Sequence, residues 1–101
     1  MNHRIEIKNA EYIDAYIIKF NFNDGREQFV DFENYIKNKT HPQFKKFWNI
    51  NNFKDFRIDH ADAIVWGKNW DLCFDVINLY NNDLTTYFDN FERGKEKIII
   101  M

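Results

Sequence analysis

A single cysteine, Cys73, closes off two classes at once. It can form no intrachain disulfide and no thiolate zinc cluster. One proline and three glycines leave little room for long irregular loops. No apolar run approaches the length of a membrane span. The start of the chain, Met1-Asn2-His3-Arg4-Ile5-Glu6-Ile7-Lys8, mixes charged and apolar residues from the outset, where a secretory signal needs an unbroken apolar stretch. Neither sign of charge dominates: the net charge is −2, so no global basic field is available to hold phosphates. A soluble cytoplasmic protein is expected, with no cofactor or bound metal and no membrane partner. The frequency of asparagine and lysine points to an AT-rich bacterial genome.

What the chain has in abundance is aromatic bulk. Eleven phenylalanines, five tyrosines and three tryptophans stand among 101 residues, and 45% of the chain is hydrophobic. That composition excludes disorder and implies a core of large flat side chains. The length suits one domain, residues 1–101.

Hydrophobic periodicity gives the elements. Ile5 and Ile7 alternate with Arg4, Glu6 and Lys8 as in a half-buried strand. Tyr16, Ile18, Phe20 and Phe22 share one face of a second strand, with Ile17, Lys19 and Asn21 opposite. Asp24-Gly25 then predicts a hairpin with a type I′ turn, and the return strand runs from Glu27 to Phe32. Glu33 to Asn38 makes one or two helical turns. Pro42 opens a helix carrying Phe44, Phe47 and Trp48 on one face, with His41 as its cap; Asn49 to Asn52 breaks it. Phe56 and Ile58, alternating with Asp55, Arg57 and Asp59, read as one strand and Ala63 to Trp66 as the next, around the turn His60-Ala61-Asp62. Asp71 to Asp75 reads as a strand-to-helix junction and Asp75 to Asn81 as a helix with Val76, Leu79 and Tyr80 on one side. Asp83 is placed as the cap of a last helix through Leu84, Tyr87, Phe88 and Phe91, stopped by Gly94. The fold class is α+β: a small, mainly antiparallel sheet with short helices on one side or end.

Three landmarks carry a family resemblance. The first is Phe22-Asn23-Asp24-Gly25 followed by Val30-Asp31-Phe32. The second is Phe44 to Phe47, then Phe53 and Phe56-Arg57-Ile58. The third is Val65-Trp66-Gly67, Trp70-Asp71-Leu72 and Leu79-Tyr80. In this order and spacing, from about residue 5 to 80, the chain resembles the bacterial family known as domain of unknown function 2442. Members often have proline where this chain has Phe74. The extension from Asn81 to Met101 lies beyond the resemblance. The resemblance implies a compact α+β domain without an established reaction, working as a protein-interaction domain, with the antitoxin-like member of a small two-gene pair as its finer form. The implied partner is another small protein, a toxin-like neighbour.

The chemistry-bearing residues admit other readings. Asp71 and Asp75 would be the carboxylates of a small enzyme, a pair that needs a cleft and separated pKa values; as structural residues they belong to a helix start. Cys73 is either a mildly acidic thiol near a helix N-terminus or a buried small hydrophobe. Asp59, His60 and Asp62 offer metal-ligand chemistry on one turn, against the simpler reading of solvated turn residues. Lys45, Lys46, Lys54 and Arg57 interleave with Phe44, Phe47, Phe53 and Phe56, the pattern of a nucleic-acid-contacting regulator, although the aromatic spacing also fits a core. Trp66 is assigned to the core. Trp70 stands between core and interface. The candidate interaction surface comprises Trp70, Asp71, Tyr80, Ile98, Ile99 and Ile100. The last three belong to an apolar tail, expected to add as a strand to a sheet edge in its own domain or in a second copy, the latter giving a homodimer.

Overall fold

A computed structural model describes residues 4–38 and 42–84. The predicted last helix beyond Leu84, the apolar tail and the cap at His41 lie outside the described residues. Two three-stranded antiparallel sheets form the framework, where the sequence led to one. The first has the order β1 (Ile7–Asp14), β2 (Ile17–Phe22), β3 (Glu27–Asp31); the second has β4 (Phe56–Asp59), β5 (Ala63–Trp66), β6 (Leu72–Asp75). Between them runs a set of short helices: α1 (Glu33–Lys37), α2 (Pro42–Lys45), a 3-10 turn (Lys46–Trp48) and α3 (Ile50–Phe53). A last helix, α4 (Val76–Tyr80), follows β6. The α+β class holds.

The period-2 pattern of β2 is realised side chain by side chain. Tyr16, Ile18, Phe20 and Phe22 are buried, while Ile17, Lys19 and Asn21 are half-buried on the other face. β5 departs from that pattern, because all four of its residues are buried. Its register explains the core side: Trp66 lies between Phe56 and Leu72, and Ile64 between Ile58 and Phe74. Both inner faces feed one apolar cluster, which also takes Phe32, Ile36, Phe47 and Phe53 from the intervening segment and Val76 and Leu79 from α4. Each such side chain, fully buried, is worth about 1.5–3 kcal/mol.

Four sequence-based boundaries change. The first strand begins at Ile7 rather than Ile5 and continues to Asp14 with two irregularities in its register. The helix from Pro42 does not remain α-helical to Trp48; it tightens into the 3-10 turn, and Asn49 to Asn52 contains the start of α3 rather than a simple break. Asn49 caps α3 by accepting from the Asn51 N–H. Asp71 to Asp75 is not a strand-to-helix junction throughout: Leu72–Asp75 is the edge strand β6, and the helix waits until Val76. Asp75 is its N-cap, in a reciprocal capping box with Asn78.

The hairpin between β2 and β3 exists, but its turn is not type I′. Gly25 has φ +92° and Asp24 does not share the left-handed region. The Phe22 N–H donates to the Arg26 carbonyl (2.9 Å), and the Gly25 N–H to the Phe22 carbonyl (3.0 Å), closing a three-residue loop. Positive φ at both central positions occurs instead at His60 and Ala61, without glycine, where the Asp62 N–H donates to the Asp59 carbonyl (3.1 Å). That turn is a junction. The Ala61 carbonyl accepts from the Ile7 N–H at 2.7 Å, and the Asp62 carbonyl from the Val76 N–H at 2.8 Å. One turn of the second sheet therefore ties down the start of the first and the start of α4.

A Cβ at Gly25 would meet no heavy atom within 4 Å, so a substitution there probes backbone conformation alone. Gly25→Val is expected to lower the unfolding free energy by about 1–2 kcal/mol, because a β-branched residue resists positive φ. An unchanged denaturant midpoint would refute the requirement for a left-handed residue at this loop.

Candidate functional site at the tryptophan loop

The five-residue connection from β5 to β6, Gly67 to Asp71, follows from its two ends. Trp66 and Leu72 are paired and buried, so the chain must reverse between them. Gly67 begins the reversal at φ +85°, and its carbonyl accepts from the Trp70 N–H at 3.2 Å. Trp70 itself sits at φ +57° with half of its surface exposed. A bulky residue in the left-handed region carries about 1–2 kcal/mol of backbone strain.

Asp71 fixes this loop. Its Oδ2 accepts from Lys46 Nζ at 2.6 Å, joining the loop to the 3-10 turn. Its carboxylate also fills the space beside Gly67: a Cβ at Gly67 would lie 2.5 Å from Asp71 Oδ2. The pair is partly solvated and contributes on the order of 0–1 kcal/mol, so its role is geometric rather than a large source of stability. Trp48, two residues after Lys46, is the second tryptophan with an exposed ring. Its Nε1–H donates to the Ile36 carbonyl at 3.0 Å and its own carbonyl accepts from the Tyr16 hydroxyl. The helix-face reading placed Trp48 with the core residues Phe44 and Phe47. The switch to 3-10 geometry changes the angular step per residue, so Phe47 is buried while Trp48 stays on the rim.

The other candidates have structural work of their own. Tyr80 is half-buried: its ring meets Phe22 edge-on at 5.1 Å, Arg26 lies 4.6 Å from its centroid, and its hydroxyl donates to Asp24 Oδ2 at 2.6 Å. That hydroxyl, followed by the Arg26 backbone N–H, holds the Asp24 carboxyl below the usual carboxylate range. Tyr80 therefore closes α4 onto the first hairpin. Asp71 and Asp75 stand at opposite ends of β6, separated by about 13 Å of extended chain. Asp75 accepts from the Ile77 N–H at 3.1 Å. The two carboxylates do not form an acid–base pair. Ile98, Ile99 and Ile100 lie outside the described residues.

Cys73 lies within β6, half-buried, and not at a helix N-terminus. Burial pushes its thiol pKa up, and the carboxylates of Asp75, Asp59 and Asp62 push it further, against a smaller opposing influence of Arg57. This is the reverse of an activated thiolate. On the Asp59–Asp62 turn, His60 Nδ1 pairs with Asp59 Oδ2 at 3.0 Å, and Asp62 Oδ2 binds Arg4 Nη2 at 2.9 Å. The bond to Asp59, then its charge, raises the His60 pKa. Among the described residues no three His, Cys, Asp or Glu side chains converge as metal ligands. No helix among them is long and apolar enough to cross a membrane.

The support that Lys46 and Gly67 give to the Asp71 side of this loop was not legible in the sequence. Glycine after Trp66 was legible as the end of a strand, but the need for a missing Cβ beside Asp71 arises from tertiary packing. No local signal pairs Lys46 with Asp71, which lies 25 positions away.

The model for "Protein of unknown function (DUF2442)" covers residues 7–85, and the chain belongs to that family. The match runs slightly past the Tyr80 limit expected from the landmarks. No curated protein and no solved structure matches the chain.

Gly67→Ala is expected to destabilise the fold by about 1–3 kcal/mol, from unfavourable φ together with the clash at Asp71. Adding Asp71→Ala should recover the clash component but leave the φ component. A double variant no more stable than Gly67→Ala would show that Asp71 does not fill the space beside that glycine.

Proposed function

We propose that this chain is a non-enzymatic protein-interaction domain whose contact residue is Trp70. The observation that carries the reading is the combination at that residue: a tryptophan ring half in solvent on a strained backbone, in a loop fixed by Gly67, Asp71 and Lys46. Strain at a non-glycine residue persists only where the surroundings over-determine it, and such positions cluster at functional sites. Tryptophan is the residue type most enriched in interaction hot spots, and a pre-set loop reduces the ordering cost of binding. The non-enzymatic part is supported by the occupation of the reactive groups: Asp71 by Lys46, Asp75 by α4, and Cys73 held towards its protonated form.

The finer form of the reading is the antitoxin-like member of a bacterial two-gene pair, bound to a small toxin-like neighbour in the cytoplasm. It rests on what the family resemblance implies. The strand addition expected of Ile98 to Met101, within the domain or between two copies, belongs to the same reading. A nucleic-acid-contacting regulator is the alternative, supported by the lysines interleaved with aromatics between Phe44 and Arg57.

The backbone strain makes a separating experiment available. Trp70→Gly removes the ring and relieves the positive φ, so the variant is expected to equal or exceed the parent in stability, by up to about 1 kcal/mol. Its affinity for a partner co-purified from the native host and then purified should fall at least tenfold in calorimetric titration. A stable variant that binds that partner as tightly as the parent would overturn the role of Trp70. A strongly destabilised variant would show that Trp70 serves the fold instead.

A further inference from the structure

The charge along the chain is unevenly placed. Residues 33–54 contain five lysines and one acidic residue, Glu33, a net charge of +4; with −2 for the whole chain, the remainder carries −6. The basic portion is the helical segment between the two sheets. Its lysines are not spread evenly in solvent. Lys37 Nζ lies 5.2 Å from the Tyr16 ring centroid and 5.5 Å from that of Trp48, and Lys45 Nζ lies 5.5 Å from Trp48. Two ammonium groups therefore converge on one partly exposed indole.

Three other cations among the described residues have carboxylate partners. Arg4 binds Asp62, Lys46 binds Asp71, and Lys19 stands between Glu11 and Glu27 at 3.8 and 3.9 Å. Among the described residues no carboxylate lies within ion-pair distance of Lys37 or Lys45; aromatic faces hold them instead. The indole beneath them is fixed at both its ring nitrogen, by Ile36, and its main-chain carbonyl, by Tyr16. The result is a flat apolar surface with a fixed orientation, rimmed by two ammonium groups open to charge-assisted hydrogen bonds.

We infer that the face formed by Tyr16, Lys37, Lys45 and Trp48 docks an acidic segment of a partner protein, with carboxylates on the two lysines and an apolar side chain on the Trp48 ring. The inference rests on the reading of the chain as a protein-interaction domain and adds the chemistry of what is bound. Charge complementarity selects the occupant. A short acidic peptide meets only the local +4 segment. An extended polyanion also meets the −6 of the rest of the chain, which repels it beyond the patch.

The three tryptophans supply the test, because each gives its own indole N–H signal in a proton–nitrogen correlation spectrum of the full chain. The probes are a ten-residue peptide of Glu and Asp with a central Phe-Leu pair, the same peptide with Gln and Asn, and a ten-nucleotide oligo(dT). The acidic peptide is expected to shift the Trp48 signal saturably and leave that of buried Trp66 in place. The Lys37→Glu, Lys45→Glu double variant should weaken this binding at least tenfold with the remaining spectrum preserved. Equal shifts with the neutral peptide, tighter binding of oligo(dT), or an unmoved Trp48 signal would each overturn the inference. A Trp70 signal that moves while Trp48 does not would overturn this face and leave the proposed role of Trp70 standing.

Discussion

Five phenylalanines from five segments of the chain meet at the Trp66 ring. It stacks on Phe53 at 5.6 Å and receives Phe32, Phe47, Phe56 and Phe74 edge-on or nearly so at 5.5 to 6.3 Å. These five phenylalanines come from the residue between β3 and α1, the 3-10 turn, α3, β4 and β6. The indole N–H donates to the Phe53 carbonyl at 2.6 Å, so the one polar atom of the ring is satisfied inside the core. The ring, fully buried, lies in one apolar cluster to which both sheets and the short helices contribute.

That centre also positions the surface proposed to function. Gly67 and the loop to Asp71 begin where Trp66 ends, and the loop is closed by Lys46, the residue before Phe47, which is itself packed on Trp66. The burial of Trp66 and Phe47 thus sets both anchors of the Trp70 loop. Trp48, one residue further, is held out of the core by the same 3-10 turn. Aromatic packing inside and aromatic presentation outside are two consequences of one local geometry.

The sequence made much of this legible, for reasons that differ by element. β2 was readable because one face is buried and the other solvated, giving clean alternation. β5 was readable from its β-branched and aromatic composition, and α4 from Val76 and Leu79 sharing a side. β6 was missed because Leu72 to Asp75 is short and runs directly into a helix whose cap is the strand's last residue; one aspartate ends the first element and starts the second. The I′ geometry was expected at Asp24-Gly25, whose residues favour it, and occurs at His60-Ala61, where tertiary bonds from Ile7 and Val76 impose it. At the candidate site, the sequence singled out Trp70 and Asp71. It did not reveal that Asp71 is committed to Lys46, that Tyr80 is committed to Asp24, or that Trp48 lies beneath two lysines. Each of those depends on residues brought together across 25, 56 and 11 or fewer positions by the packing around Trp66.

The central claim is that one ring makes the two sheets a single cooperative unit. Native-state amide exchange on Trp66→Phe tests it most directly. The substitution keeps an aromatic side chain but removes the bond to Phe53 and part of the ring volume, a loss of about 1–4 kcal/mol. The account predicts that the amides of Ile18 and Phe20, fully buried in β2, lose the same free energy of protection as Ile64 and Val65 in β5. A loss confined to the second sheet, with Ile18 and Phe20 as protected as before, would contradict it.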